Sequence, residues 1–155
     1  MKLVKLTQNK EAFVDDEDYE YISKWKWYYK QGYACRNIPD NGKQKTVLMH
    51  TCIIHCPMYK DIDHINRNKL DNQRENLRLA TRSENQINSS KKIGSSGLKG
   101  VLLKKGRTKY HSLIEWKKRK IFIGSYHTKE EAANMYNLYA YQLYGEFAYL
   151  NSVPL

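Results

Sequence analysis

The sequence contains no apolar run close to the ~18 residues of a membrane-spanning helix, so the chain is expected to fold in water without a membrane segment. It has little cysteine. Cys35, Cys52 and Cys56 are too few and too irregularly placed for the disulfide framework of a small secreted domain, and a reducing compartment is the simpler expectation. Met1 to Val4 leads into polar sequence rather than an apolar stretch, so no secretory leader is expected. At 155 residues the chain fits one ordinary domain or two small ones, which excludes a large multidomain enzyme. Acid is also scarce, since 16 Asp and Glu stand against 27 Lys and Arg for a net charge of +11. Such an excess favours a polyanionic partner such as nucleic acid over a neutral small molecule.

The charge is uneven. Residues 1–60 hold 10 basic against 7 acidic side chains, whereas residues 86–125 hold 11 against one, Glu115. Trp25 to Tyr29, Gly32 to Arg36 and Thr46 to Met49, with Asp40-Asn41-Gly42 as a turn, read as short antiparallel strands. The run Asp15 to Asp18 is a helix start or a surface loop without a binding role. Asn66 to Asn76 is too polar for a packed element and reads as a long loop. Thr81 and Glu84 have capping-box spacing and predict a short helix through about Ser90. Residues 91–97, with two glycines and two serines, form the expected linker. Beyond it, strands are expected over 100–104, 110–116 and 120–124. A second capping box at Thr128 and Glu131 then opens a helix of about 16 residues with Gly145 as its C-cap. The expected class is α+β, with one domain over 1–90 holding a small antiparallel sheet. A second, over 98–155, holds a three-stranded antiparallel sheet and one helix.

The chemistry concentrates in the middle. Phosphodiester cleavage needs an activated water, neutralisation of charge on the phosphate and help for the departing oxygen. Asp63 offers an anionic oxygen and Asn85 a carbonyl oxygen, which suit Mg²⁺ or Mn²⁺ completed by water and phosphate. His64 points to the other face of the same strand and is better placed as a general base than as a ligand. Asn76 is expected to accept the other ring N–H and fix the tautomer. His50, Arg67 and Arg74 are candidates for the substrate channel.

At these residues a resemblance emerges. Asp63-His64-Ile65-Asn66, followed by the stretch from Asp71 to Gln86 (DNQRENLRLATRSENQ), resembles the HNH nuclease family in its phage and intron-encoded homing form. The resemblance implies a ββα-metal core over about 59–90, a metal held by Asp63 and Asn85, and His64 as base oriented by Asn76. It further implies products with 5′-phosphate and 3′-hydroxyl ends, and a setting inside a bacterial or phage-infected cell. Where relatives have arginine after the histidine of Leu48-Met49-His50, this chain has Thr51. The C-terminal segment is similar to the AP2 domain, through Lys99-Gly100-Val101, Trp116, Ile121 to Ala133, Tyr136 and Tyr144 to Asn151. That similarity implies a sheet laid into the major groove of duplex DNA. Its candidate DNA contacts are Lys91, Lys92, Lys99, Lys104, Lys105, Arg107, Lys109, Lys117 and Arg119, lysines serving phosphates more often than bases.

Other features have plainer readings. His50, Cys52, His55 and Cys56 lack the spacing of a structural zinc site, and Ile53-Ile54 between them reads as a buried strand. Trp25, Trp27 and Trp116 are expected in cores, and His111 and His127 are structural or surface residues. One HNH unit has one catalytic set, so a monomer would nick one strand, and a double-strand break would need a dimer or two events. A non-cleaving DNA-binding protein is the first competing class, although Asp63, His64 and Asn85 are all present. A single-strand RNA binder stacking bases on aromatic strands is the second.

Overall fold

In the computed structural model the described residues are 1–89, 94, 96–106 and 108–154. They form two compact units, Met1–Asn85 and Gln86–Leu155. Among the described residues no helix is long and apolar enough to cross a membrane.

In the first unit, β1 (Lys2–Lys5) and β2 (Glu11–Val14) pair antiparallel with Lys2 opposite Val14. Their loop carries Gln8 and Asn9 at positive φ rather than an Asn-Gly pair. The acidic run opens α1 (Asp16–Ile22), where carboxylates in the first turn suit the positive end of the helix dipole. Strands β3 (Tyr28–Lys30), β4 (Tyr33–Asp40) and β5 (Lys43–Leu48) form an antiparallel sheet in that order. Asn41 and Gly42 turn β4 into β5 at φ 48° and 77°, the left-handed pair that a tight hairpin demands. Trp27 is buried as expected and donates its Nε1–H to the Ile22 carbonyl at 2.9 Å, while the Arg36 guanidinium lies 3.9 Å over the Trp25 ring. The strand expected around Ile53 is not there. Residues His50–Ile53 form a one-turn helix, α2, because Met49 and Ile53, four apart, both turn into the core with Val14, Ile22 and Ile62.

The unit ends in a strand pair and a helix: β6 (Asp61–His64), β7 (Leu77–Ala80) and α3 (Arg82–Asn88), the last spanning the division between the units. The capping box forms as expected. Thr81 Oγ1 accepts from the Glu84 amide at 3.3 Å, and Glu84 Oε2 accepts from the Thr81 amide at 2.7 Å. The Asn-rich stretch between β6 and β7 is a loop ending in a 3₁₀ turn at Arg74–Asn76.

In the second unit β8 (Val101–Leu103), β9 (Tyr110–Trp116) and β10 (Arg119–Tyr126) form an antiparallel sheet with β9 in the middle. The helix α4 (Lys129–Tyr144) begins at Thr128, which makes both bonds of its capping box with Glu131, and Gly145 caps it. Ala132, Ala133, Tyr136 and Ala140 bring α4 close to one side of the sheet, against Val101 and Ile114. Gly100, at φ 75°, lies against Tyr136 where any side chain would collide with the ring. Asn151 ties the C-terminal segment down. It exchanges hydrogen bonds of 2.7 and 2.9 Å with the backbone of Lys99, and its own backbone exchanges 2.7 and 2.9 Å bonds with the Asn137 side chain.

Candidate functional site

Strand β6 separates two kinds of chemistry by its alternation. Asp61 and Asp63 share one face, and Ile62 and His64 share the other. Register puts Arg78 directly opposite Asp63 and Leu77 opposite His64. On the acidic face Arg78 donates its Nε–H and Nη2–H to the same oxygen, Asp63 Oδ2, at 3.0 and 2.8 Å, and both side chains are nearly buried. Asn85 on α3 reaches the same face, donating its Nδ2–H to Asp61 Oδ2 at 3.4 Å.

On the other face His64 is buried beside a second imidazole. The His50 and His64 ring centroids are 5.0 Å apart and meet edge to face, and Tyr33 lies 5.7 and 6.2 Å from them. The Lys69 ammonium lies 4.2 Å over the Tyr33 ring. Burial pushes the His50 pKa down to about 3, with the neighbouring His64 adding to the effect. Burial also lowers the His64 pKa, against the opposing pull of the Asn72 hydrogen bond and of Asp63 and Asp71. Both rings are therefore neutral near pH 7.

The amide set against His64 belongs to Asn72, a residue that nothing in its local sequence singles out. Asn72 is fully buried, and its Nδ2–H donates to the Leu70 carbonyl at 3.1 Å, which turns Oδ1 toward His64 Nε2 at 3.4 Å. Its backbone amide is anchored on the Phe13 carbonyl of β2 at 2.8 Å. The expected role of Asn76 is thereby corrected. Its Oδ1 accepts from the Asn66 amide at 2.9 Å and its Nδ2–H donates to the Asp71 carbonyl at 2.8 Å, so Asn76 braces the loop that carries Asn72.

Arg74 also has a different occupation from the one expected. Its guanidinium meets Asp18 at 2.8 and 2.7 Å and Glu17 at 2.8 Å, and its backbone amide donates to Asp15 at 2.8 Å. The acidic run is the counter-charge that holds this turn. Arg67 is exposed, at φ 68° in the turn that follows His64.

The oxygen donors on the acidic face, two carboxylates and one amide, are hard ligands of the kind that suits Mg²⁺, an ion that keeps several waters and binds substrate phosphate. Among the described residues no group of three or more His, Cys, Asp or Glu is arranged as a self-sufficient metal cage. The donor set fits an ion completed by water and phosphate. Cys52 packs at the edge of the core, and Cys56 Sγ–H meets the Lys60 carbonyl at 3.1 Å.

Of the candidate DNA contacts, Lys104, Lys105, Lys109, Lys117 and Arg119 are exposed around the C-terminal sheet. Lys91, Lys92 and Arg107 lie outside the described residues. Lys99 is a correction, because its side chain is buried. Its ammonium donates to the Ile87 and Ser89 carbonyls at 2.5 and 2.7 Å, satisfying carbonyls at the end of α3, which removes it from any groove.

Comparison with known proteins gives this arrangement a context. The HNH endonuclease family model matches residues 37–87, the segment from β4 to α3. An uncharacterized HNH endonuclease of Acanthamoeba polyphaga mimivirus is 40% identical over 154 residues, covering 92% of this chain and 75% of the viral protein. No solved structure gives a significant match. The shared sequence runs through the Asp63-His64 strand, the Asn-rich loop and the capped helix bearing Asn85, and on that ground the chain belongs to the HNH endonuclease family and is an HNH-type nuclease.

Proposed function

We propose that the protein cleaves duplex DNA at chosen sites, in the manner of homing nucleases. In this reading His64 is the general base, Asp63 and Asn85 hold a divalent metal, and the C-terminal unit is an AP2-like anchor. The observation that carries it is the division of β6 into a carboxylate face and an imidazole face only one residue apart. A phosphate bound over this strand would meet hard oxygen donors on one side and a neutral base on the other. Bound Mg²⁺ or Mn²⁺ would supply charge neutralisation at the scissile phosphate and stabilise the departing oxygen.

The rest follows from the chain's own groups. Asn72 Oδ1 accepts from His64 Nε2–H, so the lone pair resides on Nδ1, and that nitrogen takes the proton from the attacking water. A lowered pKa keeps His64 in its basic form at neutral pH. Arg78 holds the Asp63 carboxylate in one orientation. Products with 5′-phosphate and 3′-hydroxyl ends follow from breaking the bond to the 3′ oxygen.

The test is cleavage of supercoiled plasmid carrying the gene's native flanking DNA, in Mg²⁺, Mn²⁺ and EDTA. Wild type is expected to yield open-circle or linear product only with metal. His64→Ala is expected to slow single-turnover cleavage by about 10²- to 10⁴-fold with duplex affinity in EDTA unchanged. Asp63→Ala is expected to abolish metal-dependent cleavage. Tight, salt-sensitive binding without cutting would overturn the reading in favour of a non-cleaving DNA-binding protein.

A further inference from the structure

The C-terminal sheet has one face covered by α4 and one face open. Strand alternation assigns the open face. Leu102 stands opposite His111, and Phe122 stands opposite Leu113, so these four side chains share a side. His111 and Phe122 touch, with ring centroids 5.4 Å apart. Phe122 is 55% exposed and Leu102 39%. The centre of this face is therefore three apolar side chains beside the His111 imidazole, with the pair Glu115 and Lys120 next along the same side, in a segment whose charge is almost entirely positive.

The cations lie at its two ends. Lys104, Lys105 and Lys109 belong to the hairpin between β8 and β9, and Lys117 and Lys118 form the turn between β9 and β10. The seven residues of β9 span roughly 20 Å. That length exceeds the ~12 Å width of the major groove, so on a duplex laid across the strand the cations at both ends would reach the two flanking phosphate backbones and the middle would face base edges. The turn residues reinforce this. Lys117 and Lys118 both sit at positive φ, 48° and 64°, where Asn-Gly is the relaxed choice and lysine carries strain. Charge at this tip is kept at the expense of local stability.

An apolar cluster facing base edges has one apolar group to meet in the major groove, the C5-methyl of thymine. We propose that the open face recognises thymine in duplex DNA, with Phe122 as the main methyl contact and Leu102 and Leu113 beside it. This rests on the reading of the C-terminal unit as a duplex anchor and adds to it the class of sequence read.

The test compares alternating duplexes of dA and dT with the same polymer containing uracil, which differs only by the missing methyl. Binding of the full chain is measured by fluorescence anisotropy in EDTA over a range of salt. The thymine duplex is expected to bind about fourfold tighter for each methyl that the face buries, with the same slope of log affinity against log salt. Phe122→Ser, and independently Leu102→Ser, should shrink that ratio without changing the slope, and Lys117→Gln should lower both affinities while keeping the ratio. Equal affinity of wild type for the two polymers would overturn the methyl contact and leave the anchor reading standing. Absence of any salt-sensitive duplex binding would overturn both. A dimer in light scattering that Phe122→Ser dissolves, together with equal affinities, would assign the face to a second copy of the chain instead.

Discussion

Arg78 stands directly across the strand pair from Asp63 and places two N–H groups on a single carboxylate oxygen, at 3.0 and 2.8 Å. The pair neutralises a carboxylate that burial would otherwise penalise, and it does so on the face proposed to receive a metal. Arg78→Met removes that cation. In EDTA the variant is expected to lose about 3 kcal/mol of stability in urea unfolding. Mg²⁺ should then stabilise the variant more than wild type, because the metal binds only the folded chain. An identical Mg²⁺ shift in both proteins would separate Arg78 from the metal.

Asn72 offers a test that goes beyond structural loss. With its carbonyl oxygen on His64 Nε2, the wild-type ring is expected to be the Nε2–H tautomer, readable from long-range proton–nitrogen correlations. Asn72→Leu should mix the tautomers and lower single-turnover cleavage by about 10- to 100-fold, the usual range for a group that orients a reacting one. An unchanged tautomer with slower cleavage would make Asn72 a packing residue only.

The two buried imidazoles give the fold an acid limit. The His50 pKa falls from 6.5 to about 3 on folding, so the folded state resists a proton that the unfolded chain takes up. The stability is complete above pH 6.5 and is lost progressively as pH falls toward 3, by roughly 1.4 kcal/mol per pH unit for one such group. His64, shifted in the same direction, adds to the slope. Urea midpoints between pH 7 and pH 5 in EDTA would show it, and His50→Asn should flatten the dependence. A flat wild-type profile would mean that the imidazoles are not held neutral by the fold.

Replacing Lys117 and Lys118 by Asn and Gly puts relaxed residues into the left-handed turn. The melting temperature should rise, by the equivalent of about 1–2 kcal/mol. Duplex affinity should fall, with the salt slope shallower by about 0.9 for each phosphate that the turn no longer neutralises. A stabilised variant with unchanged salt dependence would take this tip off the DNA.

What the sequence disclosed was local. Both capping boxes, the Asn41-Gly42 turn and the 16-residue α4 follow from residues three or four apart, whose chemistry needs no knowledge of the rest of the fold. The capped helix that bears Asn85 was legible for the same reason, as an element. The contacts that position Asp63 and His64 were not. Arg78 meets Asp63 only through strand register, and Asn72 reaches His64 only because a loop is folded back by Asn76 and anchored on β2. Lys99 and Arg74 look like any other cations until the Ile87 carbonyl and the acidic residues of the first helix are brought to them. The short helix at His50 replaced an expected strand because the Met49 and Ile53 spacing outweighed the β-branched pair.

The bonds made by Asn151 have a consequence in time. The C-terminal unit pins Lys99, near its beginning, to residue 151, so its sheet and helix cannot be locked until that asparagine has emerged from the ribosome. The compact unit Met1–Asn85 has every one of its residues available long before. During synthesis the first unit can fold while the second is still unfinished, and the order in which the two are completed is written into the order of the chain.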